Sequence, residues 1–357
     1  MLARKDEDKA GDGRSTVYNN IVTPEKLEKV NKKNIQLGDD FLEYISSIGM
    51  SESTIYQYGN NLKIFWCWNL EFNDNKFFVK IRKRDFQRLQ AHAKDIWGWS
   101  PKRVRTFRAT LSSLSDYIYK MLDDEYDGYK PIIKDVPHLP DCTVREKIIY
   151  TARELQKILD QLVEDGEYYK ACVLSVAMNS GRRKSELARF KVDYFDKSNL
   201  ICEGALYKTP EKMTTKGRGK NGKLLDVYTL AKPVQPYIDL WLEERKRLKI
   251  RSKWLFPRYE HGEWKDEPVK VTTLDSFTKT YARIAGKHFY WHSMRHYLVT
   301  YLSESNIPST IIQDMIGWES SDMVKLYDDT GKDDHLEKFF GADGIKTVNH
   351  TNISELY

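Results

Sequence analysis

The sequence predicts a mainly α-helical fold with a small β-sheet, an α+β chain of two domains. Three observations carry that prediction. Apolar residues recur three and four apart from about residue 36 to residue 124, a second helical run opens on a capping pattern at Thr151, and between Val192 and Leu230 the period shortens to that of strands. With 357 residues, two separate cores are the default expectation, and 40% hydrophobic with 31% charged residues is the balance of a soluble globular chain.

Residues 1–35 are rich in Lys, Asp, Glu and Gly and carry no apolar period, so they read as a mobile polar arm with one short helix near Pro24–Val30. The opening stretch has no apolar signal region and no run of 18 apolar residues occurs anywhere, so neither secretion nor a membrane partner is expected. Cys67, Cys142, Cys172 and Cys202 are widely scattered, which points to reduced, intracellular thiols, no metal cluster and a cytoplasmic location.

Residues 36–127 read as a helical domain. Phe41, Leu42, Ile45 and Ile48 form one stripe that stops at Gly49, and Ser51 to Thr54 offers caps for a second stripe of Ile55, Tyr58, Leu62, Phe65 and Trp66. A third helix starts near Arg84. Ser100-Pro101 opens a fourth, with serine as cap and proline in the first turn, followed by Val104, Phe107, Leu111, Leu114 and Ile118. Charge is concentrated in the same region: eleven basic residues between Lys76 and Arg108 face only Asp85 and Asp95, whereas the whole chain carries a net +6. A charge run is usually a solvated face, but this density at helix starts suits phosphate contacts by Lys80, Arg82, Lys83, Arg84, Arg88, Lys102, Arg103, Arg105 and Arg108.

Gly128, Pro131, Pro137 and Pro140 interrupt any helix over 128–150, which reads as a linker. A second domain spans 151–330. Thr151-Ala152-Arg153-Glu154 is a capping box ahead of the stripe Leu155, Ile158, Leu159 and Leu162, and a further helix lies near Tyr169–Asn179. Leu200 to Tyr207 and Leu224 to Leu230 read as strands, with Asn221-Gly222 a tight-turn signal between extended runs and Lys212, Lys216, Arg218, Lys220 and Lys223 on the loop side. A helix through Trp241 and the run W-L-F-P at 254–257 lead to another helical region. The tail 331–357 carries Leu336, Phe339, Phe340, Ile345 and Leu356, apolar residues that either fold back onto their own domain or form an interface.

The chemistry gathers between His292 and Tyr327. A phosphodiester repels nucleophiles, so an enzyme without a metal must place fixed positive charge where the transition state becomes anionic. Arginine never deprotonates and presents a rigid fork to phosphate. Arg295, in H-S-M-R-H at 292–296, and Arg183, in S-G-R-R-K-S-E-L at 180–187, come from different segments and could clamp one phosphate. A tyrosine phenolate can attack phosphorus and conserve the bond energy in a phosphotyrosine, so rejoining needs no nucleotide cofactor. Tyr327 follows Ile316-Gly317-Trp318 by nine residues from the tryptophan. Each residue alone has a plainer reading, as a solvated arginine, a core tryptophan or a packing tyrosine. His288, His292 and His296, four apart, would place three imidazoles on one helix face, a spacing also used by zinc sites, but no H-E-x-x-H glutamate or C-x-x-C pair accompanies them.

Together these segments resemble the tyrosine recombinase family of phage-type integrases and Xer-like recombinases. Its first arginine box, G-x-R-x-S-E-L, is matched from Gly181 to Leu187 with Arg183 in register; its H-x-x-R-H box by His292, Arg295 and His296; and its L-G-H/W box, nine residues ahead of the tyrosine, by Ile316-Gly317-Trp318 and Tyr327. Trp318 stands where histidine is commoner and Ile316 where leucine is usual. The resemblance covers about residues 36–330. It implies a C-shaped DNA clamp made of a helical core-binding domain and a catalytic domain. It also implies a homotetramer synapsing two double-stranded DNA sites through a Holliday junction, no metal or other cofactor, and an accessory directionality factor as a further partner. For the apolar residues of the tail 331–357, it implies docking on a neighbouring protomer as the alternative to a fold-back.

By the same resemblance, Arg183 and Arg295 clamp the phosphate, with Trp318 and His292 donating to it or carrying a proton. Tyr327 is the nucleophile, Glu186 supports Arg183, and His296 either joins the site or packs behind Arg295. Lys216, with Lys220 as runner-up, protonates the leaving 5′ oxygen, while Arg218 and Lys220 touch DNA. The expected function is site-specific recombination in integration or excision of a mobile element. The rivals are a type IB topoisomerase-like enzyme, a non-catalytic DNA-binding relative and a zinc-dependent nuclease.

Overall fold

A computed structural model describes residues 13–140, 148–215, 222–329, 340–341 and 344–345. The chain divides at Arg145/Glu146 into two compact units. No described helix is long and apolar enough to cross a membrane.

The first unit is built from α1 (Gly13–Ile21), α2 (Pro24–Lys29), α3 (Lys32–Ser47), α4 (Glu52–Phe72), α5 (Lys83–Asp95) and α6 (Pro101–Met121). Its starts are written in the sequence. The Ser51 hydroxyl accepts from the Thr54 N–H at 3.3 Å, and the Ser100 hydroxyl accepts from the Arg103 N–H at 3.3 Å, each satisfying a donor that the helix cannot. The two long helices α4 and α6 contribute the fully buried Phe65, Leu111, Leu114 and Ile118 to one core. Phe65 stacks on Phe86 and meets Phe78 edge-on, with ring centroids 5.9 and 5.7 Å apart.

Two segments depart from the expectation. The polar arm over 1–35 is helical from Gly13, and Ile21 and Val30 lie buried in the same core. The short helix expected near Pro24–Val30 is α2, whereas α1, of nine residues, is too short to show a period; packing on α4 and side-chain staples hold both. Asn75 accepts from the Asn31 N–H at 2.9 Å and donates to the Lys29 carbonyl at 2.9 Å. The 128–150 linker is likewise not free of the helical unit at its start. Ile133 and Val136 are buried in that core, and the Tyr129 hydroxyl bonds Ser115 Oγ at 2.7 Å. Prolines limit the stretch to a single 3₁₀ turn at Ile133–Asp135, but they do not forbid packing.

The second unit starts with α7 (Ala152–Glu164), where Thr151 and Glu154 form the reciprocal capping box and Leu155, Ile158, Leu159 and Leu162 are buried. Its centre is α8 (Tyr168–Ser180), buried continuously from Ala171 to Ser180 as expected of a helix apolar on every side. After the single turn α9 (Lys184–Leu187) come β1 (Leu200–Ile201), β2 (Leu206–Lys208), β3 (Met213–Thr215), β4 (Lys223–Leu225) and β5 (Tyr228–Leu230). They form an antiparallel sheet in the order β1-β2-β5 and a separate β3–β4 pair.

Each of the two expected strands is therefore split. Cys202, Glu203 and Gly204 all have positive φ and turn the chain between β1 and β2, while β4 pairs with Met213–Thr215 and β5 with β2. Then follow α10 (Ala231–Arg247), a hairpin of β6 (Pro257–Glu260) and β7 (Glu263–Pro268) that no period announced, α11 (Val271–Ala285), α12 (His292–Glu304), α13 (Ser309–Ile316) and α14 (Asp322–Tyr327). Further on, β8 (Phe340–Gly341) pairs with β9 (Gly344–Ile345). The other tail residues lie outside the described residues.

Candidate active site

The site is assembled where the end of α8 meets α12 and the α13–α14 turn. α8 stops at Gly181, whose φ of 60° suits glycine, and a Cβ there would lie 3.0 Å from both Ile316 Cδ1 and Leu298 Cδ2. The chain can then turn tightly enough to send two successive arginines in different directions. Arg182 goes inward: it is buried, and its Nη2 donates to the Met315 carbonyl at 2.6 Å, near the end of α13. Arg183 is the N-cap of α9. Its backbone N–H donates to Glu186 Oε2 and its Nη1 donates to Glu186 Oε1, both at 3.1 Å.

Arg295 reaches the same carboxylate from α12. Its Nε donates to the Gly181 carbonyl at 2.6 Å and its Nη2 lies 3.7 Å from Glu186 Oε2. Glu186 is completely buried, so one carboxylate stands among three guanidiniums. Burial alone would raise its pKa, but the fields of Arg182, Arg183 and Arg295, with the hydrogen bond from the Arg183 N–H, outweigh that and hold it below the ordinary value. Burial pulls Arg295 and Arg182 down to about 10, still charged at neutral pH.

Gly317 has a φ of 77°, and a Cβ on it would lie 2.4 Å from Leu225 Cδ1 of β4. This close approach sets Trp318, whose ring centre is 5.9 Å from the Arg295 guanidinium. α14 then ends on Tyr327, whose ring faces Trp318, His296 and His292 at centroid distances of 4.8, 4.6 and 5.1 Å. The Tyr327 hydroxyl is 2.8 Å from His292 Nε2. His292 keeps one side open to solvent. Lost hydration on the inner side, then the positive charge of Arg295, His296 and Arg183, push its pKa down to about 4. The ring is thus neutral at pH 7, a weak base whose lone pair can accept a hydrogen bond from the hydroxyl. Nη1 and Nη2 of Arg295 and Nε1 of Trp318 are buried with no hydrogen-bond partner among the described residues. In a folded interior such orphaned donors are costly, and they cluster at sites built for an acceptor supplied from outside.

Arg183, Glu186, His292, Arg295, His296, Trp318 and Tyr327 therefore come together from four separate segments. His296 does not pack merely as filler behind Arg295: its Nδ1 bonds Asp329 Oδ2 at 2.9 Å. His288 precedes α12 and lies beside Tyr290, so the three-imidazole helix face is not formed. Lys216, Arg218 and Lys220 lie outside the described residues. Thr215 and Lys223, which pair across β3 and β4, flank that stretch in sequence, and Lys223 lies 3.8 Å from Glu319.

In the helical unit Lys80, Arg82, Lys83, Arg84, Arg88, Lys102 and Arg105 are exposed. Lys83 pairs with Asp135 at 2.5 Å, and Arg103 stacks 4.1 Å above Trp99 while donating to Asn61 Oδ1 at 2.8 Å. Arg108 is a correction. It is buried and donates to Gln90 Oε1 and to the Pro137 and Ile133 carbonyls at 3.0, 3.1 and 2.5 Å, so it holds the 133–137 segment and is not open to DNA. Sequence reasoning passed over Arg182, Thr300 and Asp329. For Arg182 the only signal was its place between a glycine and a second arginine.

The model of the phage integrase family matches residues 149–333, more than half of the chain. The SPbeta prophage-derived recombinase-like protein YomM of Bacillus subtilis (strain 168) is 29% identical over 287 residues, covering 79% of this chain and 82% of that protein. Among solved structures, the XerH site-specific recombinase bound to palindromic difH substrate shares the fold with a TM-score of 0.60 at 15% identity, over 93% of this chain and 97% of that one. The Tn1549 transposon integrase in complex with transposon right end DNA does so with a TM-score of 0.59 at 16% identity, over 85% and 98%.

Proposed function

The chain belongs to the phage integrase family, and from that premise we propose how its residues divide the work of a tyrosine site-specific recombinase acting on double-stranded DNA. Neutral His292 accepts the phenolic proton of Tyr327. The phenolate attacks the phosphorus, the P–O5′ bond breaks as the P–Oη bond forms, and the 3′ phosphate stays on Tyr327. Arg183 and Arg295, with Trp318 Nε1, hold the non-bridging oxygens as charge builds there, and losing one such donor costs about 2.7–4 kcal/mol. Glu186 keeps the arginines together and offsets part of their charge. Lys216 protonates the leaving 5′ oxygen, with Lys220 as the alternative. Support comes from the neighbouring β4, whose Leu225 packs against Gly317, one residue from Trp318. Attack by a 5′ hydroxyl on the phosphotyrosine reverses every step and rejoins the strand without a metal or nucleotide.

The observation that carries this reading is the 2.8 Å contact between Tyr327 and His292, beside Arg295 Nη1, Nη2 and Trp318 Nε1, which are buried with no hydrogen-bond partner among the described residues. Four protomers would synapse two sites and exchange strands through a Holliday junction, with an accessory factor setting direction. The prophage origin of YomM favours the integration or excision of a mobile element. The protein would work in the cytoplasm, on the nucleoid.

The test is covalent trapping on nicked suicide duplexes drawn from DNA flanking the gene, with the DNA-linked peptide mapped by mass spectrometry. The expected adduct is a 3′-phosphotyrosine at Tyr327, lost in Tyr327→Phe and indifferent to chelators. An adduct on another residue overturns the assignment of the nucleophile. A 5′-bridging phosphorothiolate, which leaves without a proton, should rescue Lys216→Ala; rescue of Lys220→Ala alone would exchange the two lysines.

A further inference from the structure

We infer that Thr300 and Asp329 are positioning residues that dock the main chain of Tyr327 onto α12 in the same protomer, an inference that rests on reading Tyr327 as the nucleophile. α14 has six residues, too few to hold itself. Its end is instead read by one face of α12. His292, His296 and Thr300 are spaced four apart, so they stack one turn above another. Each rung takes a different part of the nucleophile segment. His292 bonds the Tyr327 hydroxyl at 2.8 Å, and His296 lies against the phenol ring at 4.6 Å. The Thr300 hydroxyl donates to the Tyr327 carbonyl at 3.4 Å and accepts from the Asp329 N–H at 3.0 Å.

One hydroxyl therefore brackets Asp328 from both sides. The Asp329 carboxylate, with a side chain only 3% exposed, closes the arrangement by its 2.9 Å contact with His296. Tyr327 is thus held at its oxygen, its ring and its backbone by three turns of a single helix. An in-line attack tolerates little error in the position of the attacking oxygen, and a shift of about 1 Å can cost on the order of a hundredfold in rate.

The test is single-turnover adduct formation by the full chain on the nicked duplex mapped with the wild-type protein, at saturating DNA. Thr300→Val keeps the shape and removes the hydroxyl, and it should slow adduct formation about tenfold without changing DNA affinity. Thr300→Ser should recover the rate to within about twofold. Asp329→Ala should also slow the step, and the double variant should be no slower than the worse single one, as expected of groups acting as a unit. Wild-type speed in Thr300→Val, equal losses in Thr300→Ser and Thr300→Val, or multiplying losses in the double variant would each overturn the inference. If Thr300→Val melts early, the Asp329→Ala rate decides alone. A wild-type adduct away from Tyr327 would instead remove the reading beneath it.

Discussion

Replacing Glu186 by glutamine removes one negative charge from a buried cluster while keeping its shape. The carboxylate lies 3.1 Å from Arg183 Nη1 and 3.7 Å from Arg295 Nη2. At an effective dielectric near 20 those separations correspond to gross attractions of about 5 and about 4.5 kcal/mol, before desolvation is subtracted. Removing one member of a buried pair leaves the rest uncompensated, at a cost of roughly 3–5 kcal/mol. Glu186→Gln should therefore lose about that much stability in urea unfolding followed by tryptophan fluorescence, and melt on the order of 10 °C lower.

The loss has a pH signature. Glu186 titrates below its ordinary value of 4.5, so its stabilisation is present above that pH and disappears as the pH falls through the lower folded value. The gap between wild type and variant should narrow in acid. DNA should narrow it less than fixed arginines alone would suggest, because a phosphate neutralises the cluster but does not replace the backbone bond to Arg183. A variant as stable as wild type to within about 0.5 kcal/mol at pH 7 would refute the three-arginine argument.

Three other expectations follow from the same geometry. His292 is held near a pKa of about 4, so in the free protein its ring signals should titrate near there by NMR; a midpoint at 6 or above would contradict its neutral state. Because the unfolded chain binds that proton first, this residue should make the fold less stable as pH falls from about 6.5 to about 4. Arg108→Ala should destabilise the helical unit by about 2–4 kcal/mol through its unpaired carbonyls, whereas Arg84→Ala, at an exposed position, should leave unfolding unchanged and reduce the salt dependence of DNA binding by roughly one phosphate. The reverse pattern would mean that the two arginines have been exchanged. Gly317→Ala must adopt a φ of 77° and displace Leu225, so a loss of about 2–4 kcal/mol together with slow cleavage is expected, and a neutral result would contradict the close approach to β4.

Much of this was legible in the sequence because it is local. Caps at Ser51, Ser100 and Thr151 act within one turn, and the apolar stripes of α4, α6 and α7 need only helical spacing to declare themselves. His292, Arg295 and His296 are three and four apart, so any helix places them within a turn of one another. The spacing of Trp318 and Tyr327 likewise needs only a short turn and a short helix.

Other features depend on partners distant in sequence, and no local rule contains them. Arg182 and Arg183 are neighbours of the same type. Only the packing of Gly181 against Leu298 and Ile316 decides that one caps α13 while the other meets Glu186. Arg108 looked like its basic neighbours until the chain from Ile133 to Pro137 folded over it with carbonyls that needed donors. Thr300 and Asp329 carry no motif at all. Their contacts exist because α14 returns to α12 about 30 residues later in the chain. The sequence by itself determined which residue types stand at helical intervals and where the helices start. The tertiary structure decided which of those charges are buried and which carbonyls they must satisfy, because burial and long-range pairing are properties of the folded surface and of no segment alone.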